Sequence, residues 1–305
     1  MNSLGTRTLV RAPVTNPQRI PAGVRAIDVH VHPATDEARA AGGEYLEWAH
    51  KYFGSSSDVV SYQQLAERYR SKGMMAVLLG KDARTNTGLP PIPNESIAQA
   101  VRDHADTFLG FGSVDPHMGR WAVREIEHIA DLGLRGLKFQ QADQAFFPND
   151  PMVYPLYEAA QRLGLVVLFH TGTTGIGAGA PGGMGHRLKY CQPIYIDDVA
   201  ADFPGMTIIA AHPGWPWTSE LIAIATHKAN VFVDLSGWAP KYLPPELLQH
   251  VRTRLQDKVL FGTDWPLLDA ERWESEFAAY GLPDDVLNKI MLTNAMRVLN
   301  LVGNE

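Results

Sequence analysis

The stretch 24–33, VRAIDVHVHP, carries polar side chains inside an apolar strand pattern. Alternate residues of a strand face the same side, so Asp28, His30 and His32 are predicted to share one face and the intervening valines the other. Ionisable groups in a buried strand need compensating partners, because burial without a partner costs free energy. A half-exposed strand with incidental polar residues is the alternative, and the rest of the chain decides between the two.

Short apolar runs recur along the chain, and amphipathic segments separate them. Strict alternation of strands and helices is typical of a parallel sheet buried on both faces. About eight such units predict an α/β fold, a (β/α)8 TIM barrel. An open doubly wound sheet is the alternative, but no glycine-rich phosphate-binding turn follows the first strand. The predicted strands are 26–33, 74–80, 108–116, 134–140, 165–172, 207–214, 230–238 and 259–266, and the predicted helices are 61–73, 94–106, 122–133, 152–164, 196–204, 218–229, 244–256 and 284–302.

Length and composition fit one domain that acts on a small molecule. The 305 residues suit a single barrel, so we predict a loose N-terminal arm at 1–25 and one domain at 26–305. The net charge of −6 argues against nucleic acid or an anionic membrane as a partner. No apolar run approaches the roughly 18 residues that cross a bilayer, and no secretory signal is evident. The single cysteine, Cys191, excludes a multi-thiolate metal site and fits a cytoplasmic location.

Further polar residues follow the later strands where each of them ends. His170 closes the fifth apolar run, His212 the sixth, and Asp264 follows the eighth. In a TIM barrel these strand ends meet at one mouth, where the chemistry takes place. Imidazole nitrogens and a carboxylate are natural ligands of a divalent cation, which would compensate their burial.

This combination of motifs resembles the amidohydrolase superfamily, and within it the amidohydrolase-related branch that includes aminocarboxymuconate-semialdehyde decarboxylase. The resemblance extends from about residue 26 to the C-terminus. It implies one divalent metal ion, zinc in preference to manganese. The implied ligands are His30, His32, His170 and Asp264. It also implies that His212 is a catalytic acid or base, while Asp28 is expected to make a structural hydrogen bond or to support a ligand histidine.

The segment GLKFQ, 136–140, adds a lysine to the predicted barrel interior. If Leu137 and Phe139 face the helices, Lys138 and Gln140 point into the barrel and can bind substrate. Other branches of the superfamily carboxylate a lysine on the fourth strand and use it to bridge two metal ions. We favour an unmodified ammonium that pairs with Asp28 or with a substrate carboxylate.

Long loops are expected to shape the pocket. The glycine-rich segment 171–193 contains Arg187, which suits an anionic group of the substrate, although a solvated basic turn is the alternative. Three tryptophans at the predicted rim, Trp215, Trp238 and Trp265, are expected to stack on a planar substrate. The first loop, 33–60, is a candidate lid because loops of that length are usually functional.

Together these features predict a metal-dependent hydrolase that acts on a small carboxylated or aromatic substrate. A metal-activated water would attack, Asp264 would take its proton, and His212 would polarise the carbonyl or protonate the leaving group. The alternative is non-oxidative decarboxylation of an aromatic or muconate-like acid by the same residues. A non-catalytic binding barrel is disfavoured because all five candidate residues are present. We expect a homo-oligomer, either a dimer or a tetramer, that takes part in the catabolism of aromatic compounds.

Overall fold

The computed structural model describes residues 17–54 and 58–303. Eight parallel strands pair in chain order. Hydrogen bonds from the Val29 amide to the Phe261 carbonyl oxygen (3.0 Å) and from the Asp264 amide to the His30 carbonyl oxygen (2.9 Å) join the last strand to the first. The predicted TIM barrel is thus confirmed. The strands are β1 (Ala26–Val31), β2 (Met74–Leu79), β3 (Phe108–Gly112), β4 (Gly136–Phe139), β5 (Val166–His170), β6 (Ile208–Ala211), β7 (Val231–Asp234) and β8 (Val259–Leu260).

Helices cover the outside of the barrel between the strands. They are α1 (Asp36–Phe53), α2 (Tyr62–Arg70), α3 (Asn94–Asp103), α4 (Arg120–Asp131), α5 (Tyr154–Leu163), α6 (Ile194–Asp202), α7 (Thr218–His227), α8 (Pro245–Val251), α9 (Ala270–Ala278) and α10 (Asp284–Asn288), which continues through a π-helical turn (Lys289–Thr293) into α11 (Asn294–Val298). Shorter helices are Arg84–Thr87 and Gln141–Gln144 and the 3-10 turns Pro116–Met118, Pro151–Val153, Pro181–Gly185, Leu188–Cys191 and Pro240–Tyr242. Within the described residues, no helix combines the length and apolar character that a membrane span requires.

Two apolar layers result from the alternation of side chains along the strands. The inner layer fills the barrel and includes Val77 and Leu168. The outer layer packs the strands against the helices and includes Leu137 and Phe139. The prediction for the fourth strand is therefore confirmed, because this apolar pair faces the helices and leaves the opposite face of β4 to the barrel interior.

The first strand departs from simple alternation. Asp28 pairs with Ala76 and Val31 pairs with Leu78, so three steps along β1 match two along β2. This irregularity is a β-bulge, which re-aims the side chains that follow it. Val29 lies in the inner layer, whereas the Asp28 carboxylate accepts a hydrogen bond from the Tyr69 hydroxyl of α2 (2.7 Å). The prediction that Asp28 shares a face with His30 and His32 is wrong for this reason.

The described part of the N-terminal arm is held against the barrel. Gln18–Arg19 pairs with Leu301–Val302 as a short parallel sheet, and Ile20 is buried in the inner layer. The expectation of a loose arm is therefore wrong for residues 17–25. Residues 1–16 of the predicted arm lie outside the described residues.

The candidate lid contains a helix rather than a long loop. Helix α1 occupies 18 residues of the predicted 33–60 loop, and its backbone leaves helical geometry at Gly43 (φ 48°, ψ −145°). The end of α1 packs on the glycine-rich segment, where an added Cβ at Gly175 would meet the Phe53 ring and one at Gly179 the Tyr52 ring. Residues 55–57 of the predicted loop lie outside the described residues.

Candidate active site

Three potential ligand atoms lie close together at the mouth of the barrel. Two come from histidines at the end of the first strand, and one comes from an aspartate after the last strand. The Nε2 atoms of His30 and His32 lie 3.2 Å apart, and Asp264 Oδ1 lies 3.3 Å from the first and 3.2 Å from the second. The bulge in β1 turns His30 inward, and a left-handed backbone at Asp264 (φ 61°) carries its carboxylate toward the histidines. We call these three residues the ligand triad.

The hydrogen bonds around the ligand triad show what it can hold. Asp234 Oδ2 lies 2.6 Å from His30 Nδ1 and accepts its proton, so the lone pair of His30 Nε2 faces the site. Burial lowers the pKa of His30 well below its usual value. Burial opposes ionisation of Asp264 as well, but His212, His30 and His32 hold the pKa of that carboxyl well below its usual value. A cation between these atoms would satisfy the lone pairs of the imidazole and of the carboxylate together.

The spacing of the ligand triad fits a divalent metal ion. Atoms 3.2–3.3 Å apart can each lie about 2.0–2.1 Å from one shared centre, which is the usual distance from zinc to imidazole nitrogen. The same nitrogen and oxygen donors also suit manganese. The donor set therefore fits the metal that the resemblance implies, without selecting between these two metals.

A chain of buried hydrogen bonds connects the ligand triad to His212. Ser236 Oγ donates to Asp234 Oδ2 (2.7 Å) and lies 2.7 Å from His212 Nδ1, which donates to it. Burial lowers the pKa of His212 to about 3, so the ring is neutral and its Nε2 carries a lone pair. That atom lies 3.9 Å from Asp264 Oδ2. Asp234 ends β7 and Ser236 follows two residues later, and this i, i+2 spacing is the sequence signal that both side chains face the pocket.

Glycine leaves room for this chain of hydrogen bonds. A Cβ added at Gly262 would collide with Asp234 Oδ1, and one at Gly237 would lie 2.7 Å from His212 Nδ1. Both approaches are too close for real contacts, so larger residues would displace the polar side chains.

His170 lies beside the site in a different orientation from the ligand triad. Its ring packs edge-on against His212 with 4.8 Å between ring centroids, and its Nε2 lies 3.0 Å from the Thr173 carbonyl oxygen. Among the described residues, His170 is not part of a group of three ligand atoms that converge within 4.8 Å. The structure thus brings together three of the four predicted ligands. It places the fourth, His170, next to His212, the predicted acid or base.

Lys138 reaches the ligand triad from β4. Its side chain is buried, with Nζ 3.4 Å from His30 Nε2, and burial lowers its pKa to about 8. Among the described residues, no carboxylate lies within 4.0 Å of this ammonium. The predicted pairing with Asp28 is wrong, because the Asp28 oxygens accept instead from Thr263, Tyr69 and the His30 amide.

Gln140 follows Lys138 on the same side of β4. Its Nε2 donates to Thr174 Oγ1 (3.2 Å) in the glycine-rich segment. Its Oε1 is buried, and no hydrogen-bond partner for it occurs among residues 17–54 and 58–303. The predicted interior position of both residues agrees with the outward orientation of Leu137 and Phe139.

The predicted rim residues divide into exposed and buried ones. Trp215 is 51% exposed, and its ring centroid lies 6.1 Å from that of the half-buried Trp238. Arg187 is exposed and makes no side-chain ion pair with the described part of the chain. Trp265 is 6% exposed and lines a small void with Tyr69 of α2 and Ala270 of α9. Its assignment to the substrate rim is therefore corrected, since the turn at Asp264 sends the next side chain toward the helices.

Comparison with known proteins places the chain in a family. The amidohydrolase family model, which represents the amidohydrolase 2 branch, matches residues 27–301. The chain belongs to the amidohydrolase family. This confirms the resemblance drawn from the histidine and aspartate motifs, and it makes the protein an enzyme of a metal-dependent family.

Decarboxylases and a hydrolase are among the proteins that resemble this amidohydrolase. A 2-amino-3-carboxymuconate-6-semialdehyde decarboxylase from Dictyostelium discoideum is 30% identical over 78 residues, which are 25% of this chain and 22% of that protein. The match therefore spans about a fifth of that relative's length.

Solved structures share the fold at low sequence identity. An uncharacterized TIM-barrel protein from Bordetella bronchiseptica has a TM-score of 0.76 at 23% identity, over 90% of this chain and 98% of that one. A 2,6-dihydroxybenzoate decarboxylase in complex with 2,6-dihydroxybenzoate gives 0.68 at 17% identity, over 90% and 99%. A 5-carboxyvanillate decarboxylase from Novosphingobium aromaticivorans with bound manganese gives 0.67 at 17%, over 93% and 100%. A probable 2-pyrone-4,6-dicarboxylic acid hydrolase from Acinetobacter baumannii gives 0.63 at 14%, over 91% and 100%.

A second cluster of charges, which the sequence did not reveal, holds the glycine-rich segment of this amidohydrolase in place. Asp143 lies 2.6 Å from His186 Nε2 and 3.0 Å from Lys81 Nζ, and it is buried. His186 Nδ1 lies 3.1 Å from the Gly183 carbonyl oxygen, and the Tyr45 ring of α1 packs edge-on against the imidazole. His186 is thus occupied by protein partners and is not free to bind substrate.

We expect Asp143→Asn to destabilise the fold by about 2 kcal/mol at pH 7, since a change of one in a pKa corresponds to about 1.4 kcal/mol. Burial alone would raise the pKa of Asp143, but Lys81 and His186 lower it from 3.8 to about 2. A carboxyl whose pKa is lower in the folded state stabilises the fold above its unfolded pKa, and this stability is lost as the pH falls toward 2.

Urea unfolding of the wild type and of Asp143→Asn at pH 7, 5, 4 and 3 measures this difference. The gap in unfolding free energy should be similar at pH 7 and 5 and should narrow at pH 4 and 3. Asp150→Asn, at an exposed turn where Asp150 caps the Met152 amide, is the control and should show a smaller gap. A gap for Asp143→Asn that stays constant down to pH 3 would show that the charge of Asp143 is not what stabilises this cluster.

Proposed function

We propose that the chain is a metal-dependent carboxy-lyase that removes carbon dioxide from a small aromatic or muconate-like carboxylic acid. From the sequence, hydrolysis is the main prediction and decarboxylation the alternative, although the ligand motif does not separate the two reactions. The named relatives favour decarboxylation over hydrolysis, since most of them are decarboxylases of aromatic or muconate-type acids.

The observation that carries the proposal is the buried ammonium of Lys138, which has no carboxylate in direct contact among the described residues. It is buried beside His30 Nε2, and no carboxylate of the described residues lies within 4.0 Å of it. Asp264 and Asp234 act on this ammonium from beyond 4.0 Å, and a buried cation without a directly contacting carboxylate is only partly compensated. A substrate carboxylate at this position would supply the missing charge, and carbon dioxide is lost from just such a group.

We propose His30, His32 and Asp264 as ligands of one divalent ion, with His170 as the fourth ligand once its ring leaves the Thr173 carbonyl oxygen. When bound, the ion would supply Lewis-acid stabilisation of negative charge on substrate oxygens. Zinc is our first expectation, and the manganese in the 5-carboxyvanillate decarboxylase keeps manganese as the alternative.

His212 is the residue that we propose to move the proton. Its Nδ1–H bond to Ser236 leaves Nε2 facing the Asp264 carboxylate across 3.9 Å. His212 Nε2 would first take up a proton from solvent and then deliver it to the carbon that bears the carboxylate, which makes that carbon tetrahedral and returns the ring to its neutral form. The carbon–carboxylate bond then breaks, its electron pair restores the unsaturated system, and carbon dioxide leaves. Lys138 holds the carboxylate in position for this step, while Trp215 and Trp238 at the rim are placed to contact a planar substrate.

Hydrolysis is the second candidate, because a probable 2-pyrone-4,6-dicarboxylic acid hydrolase shares the fold. In that case the same Nε2 of His212, together with the Asp264 carboxylate, would accept a proton from the attacking water. The two reactions use the same residues and differ in the direction of proton transfer at His212. Only the products distinguish decarboxylation from hydrolysis.

Product analysis separates the two reactions. Metal-loaded protein is incubated with carboxylated hydroxybenzoates and, separately, with aryl lactones and pyrone carboxylates. We expect dissolved carbon dioxide to appear in equal amount to the acid consumed, with no ring opening of the lactones. Acid release from a lactone without carbon dioxide would contradict the proposal and establish the hydrolase.

The remaining expectations concern the assembly. We propose a cytoplasmic homo-oligomer, a dimer or a tetramer, that acts on a small molecule and binds neither nucleic acid nor membrane. Light scattering coupled to gel filtration measures the subunit number.

A further inference from the structure

We infer that Lys138 and Gln140 act together as a recognition pair for a hydroxylated carboxylic acid, in which Lys138 pairs with the carboxylate and Gln140 Oε1 accepts a hydrogen bond from the hydroxyl. This inference rests on the proposed function, since it names the substrate class of the same site. It is carried by two buried polar groups. Gln140 Oε1 has no hydrogen-bond partner among the described residues, and the Lys138 ammonium contacts His30 Nε2 (3.4 Å) but no carboxylate of those residues within 4.0 Å.

The strand places the two side chains together. Residues at i and i+2 of a strand point to the same side and lie about 6.6 Å apart. The side chains of Leu137 and Phe139 pack in the outer layer, so those of Lys138 and Gln140 project to the barrel interior at its mouth. Gln140 is the first residue after β4 (φ −119°, ψ 86°), and its side-chain Nε2 reaches Thr174 Oγ1 (3.2 Å) in the glycine-rich segment.

The ammonium of Lys138 requires an anion when the site is loaded. Its nearest polar contact is His30 Nε2, and that atom's lone pair would be taken by the metal. The ammonium and the metal would then be neighbouring cations, and Asp264, which acts on both, carries only one negative charge. A substrate carboxylate between them neutralises both, so the loaded site selects for acids.

Hydrogen bonds anchor Gln140 at its backbone and at its side-chain amide. Its backbone amide donates to Gln144 Oε1 (2.9 Å), and its Nε2 donates to Thr174 Oγ1. Thr174 Oγ1 also accepts from the Ile176 amide (3.1 Å), which fixes this hydroxyl in turn. Oε1 is left as a buried acceptor, and a buried acceptor without a donor is unfavourable. A substrate hydroxyl satisfies it, whereas a methoxy group or a bare ring carbon does not.

Direct binding to metal-loaded protein tests this pair without relying on turnover. The probes are benzoate, 2-hydroxybenzoate and 3-hydroxybenzoate, each hydroxy acid being matched with its methoxy analogue, and dissociation constants are measured by titration calorimetry. For the wild type we expect at least one hydroxy acid to bind about 10-fold or more tightly than its methoxy analogue, because a missing donor leaves Oε1 unpaired.

The variants assign the preference to individual residues. Gln140→Met should reduce the ratio of hydroxy to methoxy affinity to about 1, while Gln140→Glu, which keeps an acceptor oxygen, should retain a preference for the hydroxy acid. Lys138→Met should weaken all the acids by about 10-fold or more and keep the ratio, with metal content unchanged. Gln249→Met, the same change on the exposed face of α8, should alter neither quantity.

The outcomes separate this inference from the proposed function. A wild-type ratio near 1, a ratio that survives Gln140→Met, or unweakened acid binding in Lys138→Met overturns the recognition pair even if carbon dioxide is released. A failure of every probe to bind, or loss of the metal from Lys138→Met, overturns it too. If the ratios behave as expected and no carbon dioxide is formed, the pair stands and the proposed reaction fails.

Discussion

Replacement of His30 by alanine is expected to remove metal binding and turnover together. The change takes away one atom of the ligand triad, and it leaves the buried carboxylate of Asp234 without the imidazole that donates to it across 2.6 Å. We expect the affinity for zinc or manganese to fall by more than about 100-fold, beyond the 10–100-fold that is typical for loss of an outer partner of a ligand. Competition with a chromophoric chelator measures it.

Two other histidine variants serve as comparisons for the loss of metal affinity in His30→Ala. His128→Ala changes a half-exposed ring that contacts Glu95 and should leave metal affinity unchanged. His170→Ala should reduce the affinity less than His30→Ala, because its Nε2 bonds to the Thr173 carbonyl oxygen in this structure. A His30→Ala protein that keeps one tightly bound metal per chain would refute the ligand triad.

The second large effect is expected for His212→Ala, which should keep its metal and lose turnover by a factor of about 10²–10⁴. Its Nε2 points toward the site and lies 3.9 Å from Asp264 Oδ2, farther than the atoms of the ligand triad lie from one another. Ser236→Ala, which removes the acceptor for His212 Nδ1–H but keeps the imidazole, should show a smaller loss in kcat.

Metal content and kcat are measured on the same preparations of each variant. Ser219→Ala is the matched control for Ser236→Ala, because Ser219 donates to Glu246 on the outer face of the barrel. A His212→Ala protein that loses its metal would make His212 a ligand. One that retains wild-type kcat would remove His212 from the mechanism.

Much of the fold follows from the sequence, because the apolar runs and the amphipathic segments alternate without interruption. All eight predicted strands form, and each ends earlier than predicted because the polar residues that follow belong to the mouth of the barrel. The ligand triad is also predictable, since parallel strands in a barrel bring their carboxyl ends together whatever the separation along the chain.

The orientation of Asp28 is not predictable from its own strand. Alternation holds only while two strands stay in register, and the bulge in β1 depends on its pairing with β2. Helix α1 is not predicted, for a different reason. Its two adjacent glycines, Gly42 and Gly43, favour a loop, yet the chain forms a helix whose kink falls at Gly43.

Contacts between distant segments account for the other differences. The cluster of Asp143, Lys81 and His186 joins the short helix Gln141–Gln144 to two loops that are distant in sequence, and no local pattern indicates it. Trp265 follows Asp264, whose backbone is left-handed. No residue pattern in the sequence predicts this turn, so the orientation of Trp265 is not predictable either. The choice between hydrolysis and decarboxylation also lies beyond the ligand motif, because both reactions use the same metal-binding residues.

Diffraction at the metal absorption edge, from crystals of protein prepared without chelators, tests the central claim most directly. We expect a single anomalous peak about 2.0–2.2 Å from His30 Nε2, His32 Nε2 and Asp264 Oδ1, with an unmodified Lys138 beside it. No peak at this position, or two peaks about 3.5–4 Å apart with extra density on the Lys138 amine, would contradict the account.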